Sequence, residues 1–243
     1  LMTRSDVDRP AFIYLYCYGA IGIPTLPTWN RTFQMILELG GAVAIANIRG
    51  GGEFGVRWQA PFKQNRRPTL EDIAWAAKWL KNRYKCKVVC SGRSYGGMHT
   101  LASMVEFSKD FDLFVAEMPV TNVLEFLENG VFGRSAWDDF GFAHNAAGDL
   151  WKTAETIDVL QTWSPSRKSF EPDKGVLVVT SETDERVEPT QAYAIAASLA
   201  GRAGNNPVYL QVEQSGGHDA LTTAGVVTFI ARHFGIKALD QLG

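Results

Sequence analysis

The sequence predicts an α/β fold, a mostly parallel sheet with helices on both faces, and three observations lead there. Short apolar runs rich in β-branched residues alternate with longer segments of helical period, the pattern of repeated βαβ units. The chain's 243 residues, 46% hydrophobic and 21% charged, are enough to bury a full core as one domain spanning 1–243. The run Val88-Val89-Cys90-Ser91-Gly92-Arg93-Ser94-Tyr95-Gly96-Gly97 reads as an apolar strand entering Gly-x-Ser-x-Gly, with a helix-forming stretch after it.

Taken in order, a first strand is expected near 11–17, a helix near 30–39 and a second strand near 42–48. The clearest helix runs from Leu70 to Tyr84: Thr69 can cap it, Glu71 and Asp72 occupy its first turn, and Ile73, Ala76, Ala77 and Leu80 share a face. A third strand near 86–91 leads into the serine turn and a helix near 97–107. Strands near 113–118, 175–181 and 207–213, with helices near 189–200 and 220–234, complete the alternation. Between Val120 and Asp173 no strand pattern appears, while Trp137, Phe140, Phe142, Trp151 and Trp163 accumulate. That stretch reads as a mainly helical excursion over the top of the sheet.

Twenty-four basic residues face 26 acidic ones, with no basic stripe interleaved with aromatics, which argues against a nucleic-acid partner. Three cysteines form no CxxC pair, and their odd number in a chain of this size is not a disulfide framework. Cys86 and Cys90 lie roughly 13 Å apart along one extended segment at about 3.3 Å per residue, too far to bridge. Buried thiols in a reducing, cytoplasmic setting are the expectation. Residues 1–10 lack the apolar core of a signal peptide and no later stretch reaches the length of a membrane span, so no membrane partner is expected. The chain begins with Leu1, which leaves open that further sequence precedes it.

Glycines two positions either side of Ser94 allow a sharp strand-to-helix turn that presents the hydroxyl; the plainer alternative makes Ser94 a helix N-cap. A serine hydroxyl needs a histidine to remove its proton and an acid to orient that histidine. The expected strand Gly175 to Ser181 exits into a loop carrying Glu182, Asp184 and Glu185, and the next strand exits into Ser215-Gly216-Gly217-His218. Sites in parallel sheets gather at the carboxyl ends of strands. The order serine, acid, histidine is that of the α/β-hydrolase fold. Taken singly, His218 reads as a solvated loop residue and the acids as a solubilising cluster. Acyl transfer also needs oxyanion donors: the N–H of Tyr95 is one, and the loop with Tyr18-Gly19 should supply another, unless Tyr18 is only a packed aromatic.

These residues resemble the catalytic domain of the prolyl oligopeptidase family of serine peptidases. The segment Asn47-Ile48-Arg49-Gly50-Gly51-Gly52-Glu53-Phe54-Gly55 is the most distinctive match; Tyr16-Cys17-Tyr18-Gly19, the serine turn, Asp184-Glu185-Arg186-Val187 and Gly217-His218 follow at comparable spacings. The resemblance implies Ser94 as nucleophile, His218 as general base then acid, Asp184 as the orienting acid, and the Tyr18 hydroxyl as second oxyanion donor beside Tyr95. It implies Trp137 stacking on a substrate proline, Arg186 binding a substrate carbonyl, and Val187 lining the proline pocket, on a short-peptide substrate and without metal or organic cofactor. Core packing for Trp137 and a salt bridge to Asp184 or Glu185 for Arg186 are the alternatives.

The departures bear on specificity. Prolyl oligopeptidases commonly have glycine before and asparagine after the serine, where this chain has Arg93 and Tyr95. Ile21 stands where an aromatic usually helps form the proline pocket, and Asp219-Ala220-Leu221 follows His218 in place of small residues. The family also carries a β-propeller, which is not found here, and the serine follows the third strand rather than the fifth. The expectation is a fragment of a longer chain that carries a propeller, lacking two edge strands and prone to association. Other branches of the family (basic-residue oligopeptidase, dipeptidyl peptidase, acyl-peptide hydrolase), an esterase, and a noncatalytic hydrolase-fold interaction module are the competing readings.

Overall fold

The computed structural model describes residues 1–129, 164–168 and 172–237. Six parallel strands, β1 (Phe12–Cys17), β2 (Ala42–Ala46), β3 (Lys87–Arg93), β4 (Leu113–Glu117), β5 (Gly175–Ser181) and β6 (Val208–Glu213), form one sheet in the order β2-β1-β3-β4-β5-β6. All six expected strands are present. Seven helices are described: α1 (Arg31–Glu38), α2 (Val56–Gln64), α3 (Arg67–Tyr84), α4 (Tyr95–Phe107), α5 (Val123–Asn129), α6 (Pro189–Ala200) and α7 (Thr223–Phe234).

Alternate strand residues divide between two cores, because successive side chains of a strand point to opposite faces. Ile13, Leu15 and Cys17 of β1 and Val88 and Cys90 of β3 face a core closed by Ile73, Ala77 and Leu80 of α3, Leu101 and Met104 of α4, and Ile195 and Leu199 of α6. Phe12 and Tyr14 of β1 and Val89 of β3 face the other, closed by Phe33 and Ile36 of α1 and Val226, Val227, Phe229 and Ile230 of α7. Each fully buried aliphatic side chain here contributes about 1.5–3 kcal/mol. With both faces covered, the sheet's central strands read as continuous apolar runs.

One expectation about an element fails, and one helix goes beyond the expected elements, both for local reasons. Pro68 pre-sets the first turn of α3, so the helix begins at Arg67 and Thr69 does not cap it. The Asn65 side chain accepts from the Arg67 amide at 3.0 Å, and the Thr69 hydroxyl instead donates to the Arg49 carbonyl at 2.7 Å. Helix α2 was not expected from the sequence, because Pro61 sits in its interior and argues against a helix by losing an amide donor. Of the excursion after Val120, α5 and a short 3-10 turn (Pro165–Arg167) are described; Trp137 lies outside the described residues.

The thiols follow the expectation in part. Cys17 and Cys90 are buried, whereas Cys86, just ahead of β3, is half-buried. No helix among the described residues is long and apolar enough to cross a membrane.

Candidate active site

The turn between β3 and α4 holds Ser94 at φ 60°, ψ −120°, a conformation that a residue with a side chain adopts only where its surroundings impose it. The surroundings are close backbone crossings. A Cβ on Gly92 would lie 2.5 Å from the backbone of Gly96, and one on Gly96 would lie 2.4 Å from the Cys17 carbonyl oxygen. The Ser94 amide donates to the Glu117 carbonyl at 2.9 Å and its own carbonyl accepts from Met98 at 3.0 Å. Ser94 occupies the N-cap position of α4, yet its side chain makes no capping hydrogen bond, which removes the plainer account of this serine.

The loop after β5 buries Asp184 while Glu182 and Glu185 stay exposed. One Asp184 carboxylate oxygen, Oδ1, accepts from the amides of Arg186 at 2.9 Å and Val187 at 3.0 Å. His218, on the turn after β6, brings Nδ1 to 2.8 Å from Oδ2 and 3.1 Å from Oδ1 of the same carboxylate. Its side chain is 9% exposed and that of Asp184 fully buried, so His218 is not a solvated loop residue. Burial alone would raise the Asp184 pKa, but the His218 ring and the two amides outweigh it and hold the carboxyl below its ordinary value. The hydrogen bond puts the neutral-state proton of His218 on Nδ1 and leaves Nε2 as the acceptor.

Ser94 and His218 line one cleft of about 490 Å³, together with Tyr16, Tyr18, Ile21, Tyr95, Arg186, Val187 and Asp219. Among the described residues no hydrogen bond joins the Ser94 hydroxyl to His218. The carboxyl ends of β1, β3, β5 and β6 thus deliver Tyr18, Ser94, Asp184 and His218 to one rim of the sheet. Tyr95 is the first residue of α4, in the turn whose amides a helix leaves to outside partners. Its ring packs edge-to-face on Tyr18, 6.4 Å between centroids, and on Phe126 at 5.8 Å. Tyr18 is therefore both a packed aromatic and a cleft residue.

Val187 is buried with Ala20, Val120 and Phe126 in a small apolar cluster under the cleft, against which Ile21 packs. Ile21 has φ 47°, unfavourable for a β-branched residue. Arg186 is half-exposed, and its guanidinium stands 3.7 Å from Asp219 rather than on Asp184 or Glu185. Among the described residues no cluster of three His, Cys, Asp or Glu is arranged to hold a metal ion.

Several contacts around the site were not readable from the sequence. His99 on α4 is buried, and its Nδ1 lies 2.8 Å from the Tyr18 carbonyl, which makes that nitrogen the donor. Arg49 donates from backbone and side chain to Asp72, at 2.9, 2.8 and 2.6 Å, and so locks the Arg-Gly-Gly-Gly-Glu segment onto α3. The Glu53 carboxylate accepts from the Thr25 amide at 2.8 Å, tying that segment to the loop after β1. Periodicity cannot reveal such contacts, because each partner lies on a different element.

A sequence profile of the prolyl oligopeptidase family matches residues 27–235. The prolyl endopeptidase of Elizabethkingia miricola is 32% identical over 97% of this chain and 34% of its own length. That of Dictyostelium discoideum is 28% identical over 85% of this chain and 28% of its own length. Among solved structures, a prolyl endopeptidase superposes with a TM-score of 0.82 at 27% identity over 98% of this chain and 35% of that one. Oligopeptidase B from Leishmania major, at 22% identity over 95% of this chain and 33% of its own, shares the fold with a TM-score of 0.80. The chain spans about a third of the length of the curated relatives it matches.

Proposed function

The chain belongs to the prolyl oligopeptidase family, and on that premise we propose that it is the α/β-hydrolase part of a serine peptidase that cleaves short peptides, preferentially after proline. The single observation that carries the reading is the 2.8 Å contact of the buried Asp184 carboxylate with His218, which lines the same cleft as Ser94. Ser94 attacks the scissile carbonyl while His218 Nε2 takes its proton, and Asp184 holds the ring in that tautomer and supports the imidazolium. The Tyr95 amide and the Tyr18 hydroxyl stabilise the tetrahedral oxyanion. His218 then protonates the leaving amine, and water activated by the same ring hydrolyses the acyl-enzyme. Substrate docking closes the Ser94–His218 gap, as catalytic hydrogen bonds often tighten only in the complex.

Val187 and Ile21 offer an apolar wall to a proline ring, and Trp137 is the proposed stacking partner. Arg186 binds a substrate carbonyl after leaving Asp219; that exposed pair is worth about 0–1 kcal/mol and yields easily. The greater length of the relatives supports a parent polypeptide with a further domain, which the resemblance makes a β-propeller. Fluorophosphonate labelling that disappears in Ser94→Ala is expected; an unlabelled, folded parent protein would instead favour a noncatalytic module. Dipeptide amides with proline, arginine or alanine at the cleaved position test the preference, and equal rates on all three would remove it.

A further inference from the structure

We infer that Arg93 is a positioning residue for His218, its guanidinium fastening the histidine turn to the strand that carries Ser94. The inference rests on the proposed roles of Ser94 and His218. Arg93 immediately precedes Ser94, so its side chain leaves the very strand end that presents the serine.

Its contacts converge on one short stretch. Nη1 donates to the carbonyl of His218 itself at 3.3 Å. Nη2 donates to the Ala220 carbonyl at 3.2 Å, to the Thr222 hydroxyl at 3.2 Å, and to Glu117 Oε2 at 2.7 Å. Thr222 also hydrogen-bonds that Glu117 oxygen. Arg93 and Glu117 are cross-strand partners in the β3–β4 register, and the Glu117 carbonyl accepts the Ser94 amide at 2.9 Å. One buried carboxylate residue therefore holds the serine turn through its backbone and, through Arg93, the histidine turn.

The histidine turn needs such a fastening. It follows β6, the last strand of the sheet, and its other ties include the Asp184 carboxylate, the Thr183 hydroxyl, which accepts from the Gly217 amide at 3.1 Å, and the exposed Arg186–Asp219 pair at 3.7 Å. A planar fork with several fixed donors can meet two carbonyls and a carboxylate at once, whereas a lysine ammonium on a flexible stem cannot hold that geometry. The competing account is that Arg93 only neutralises Glu117, whose side chain is 6% exposed.

The test separates these accounts in the intact protein. Arg93→Met leaves the buried Glu117 without its cationic partner and lowers the Tm; Arg93→Met/Glu117→Gln removes that charge and returns the Tm toward the parent value. Under the inference, kcat stays down by about 100-fold in both variants, the scale of a displaced catalytic group, while KM changes by less than about twofold. Fluorophosphonate labelling slows in parallel, and the double variant causes no further loss in a His218→Ala background. Recovery of kcat along with Tm overturns the inference, as does a full additional loss on top of His218→Ala. If His218→Ala is as active as the parent, the proposed base is wrong and the inference falls with it, an outcome distinct from the other two.

Discussion

His99 is a buried imidazole, and burial with the nearby Arg66 cation pushes its pKa down to about 3 from an ordinary value of 6.5. Between those values the unfolded chain binds the extra proton, so stability is complete above 6.5 and drains away as pH falls toward 3. The slope is at most about 1.4 kcal/mol per pH unit from this one group. Denaturant titrations from neutral pH downward should therefore show a shallower acid loss in His99→Leu than in the parent; identical slopes would mean the ring is not buried neutral. The contact it serves, the Tyr18 carbonyl, lies 81 positions earlier in the chain. That is why nothing in the sequence around His99 marked it, whereas Ser94, Asp184 and His218 could be singled out from their order and from the strands they follow. Of the three acids in the β5 exit loop, the resemblance already favoured Asp184, and burial together with contact to the ring sets it apart physically.

The β3–α4 turn is where an element's geometry depends on single atoms. With a Gly96 Cβ 2.4 Å from the Cys17 oxygen, no rotamer relieves the clash, because the obstacle is backbone. Gly96→Ala should cost on the order of several kcal/mol, beyond the range of ordinary substitutions, or move Ser94 enough to abolish fluorophosphonate labelling. A variant with parent-like melting and labelling would show that strand and helix are not so closely crossed. The glycine spacing was readable because a close approach demands glycine whatever the remaining sequence. The start of α3 was misread because a proline at the second position outweighs a nearby threonine as a helix-start signal. Arg49 and Asp72 make the Arg-Gly-Gly-Gly-Glu segment a buttress between α3 and the loop after β1, with its arginine engaged by a carboxylate.

At the scale of the molecule, the two sheet edges differ. Beside β2, Met2 pairs with Val43 through two backbone hydrogen bonds of 2.7 and 2.9 Å and covers part of that edge. At the other end β6 leaves Tyr209, Leu210 and Val212 exposed, and an apolar edge strand is a template for pairing with another chain. Association was expected from an exposed sheet edge, without saying which; in the structure the more apolar exposed edge is β6. Sedimentation of the 243-residue chain alone should show concentration-dependent association that Leu210→Lys reduces; unchanged association would point to another surface. By itself the sequence determined the six parallel strands, the alternation of helices and the order of the serine, acid and histidine, since hydrophobic period and turn chemistry are local properties of a chain. Which carboxylate meets the imidazole, what Arg93 and His99 hold, and which edge stays bare were decided only in three dimensions, because each depends on atoms from strands far apart in sequence meeting at one rim of the sheet.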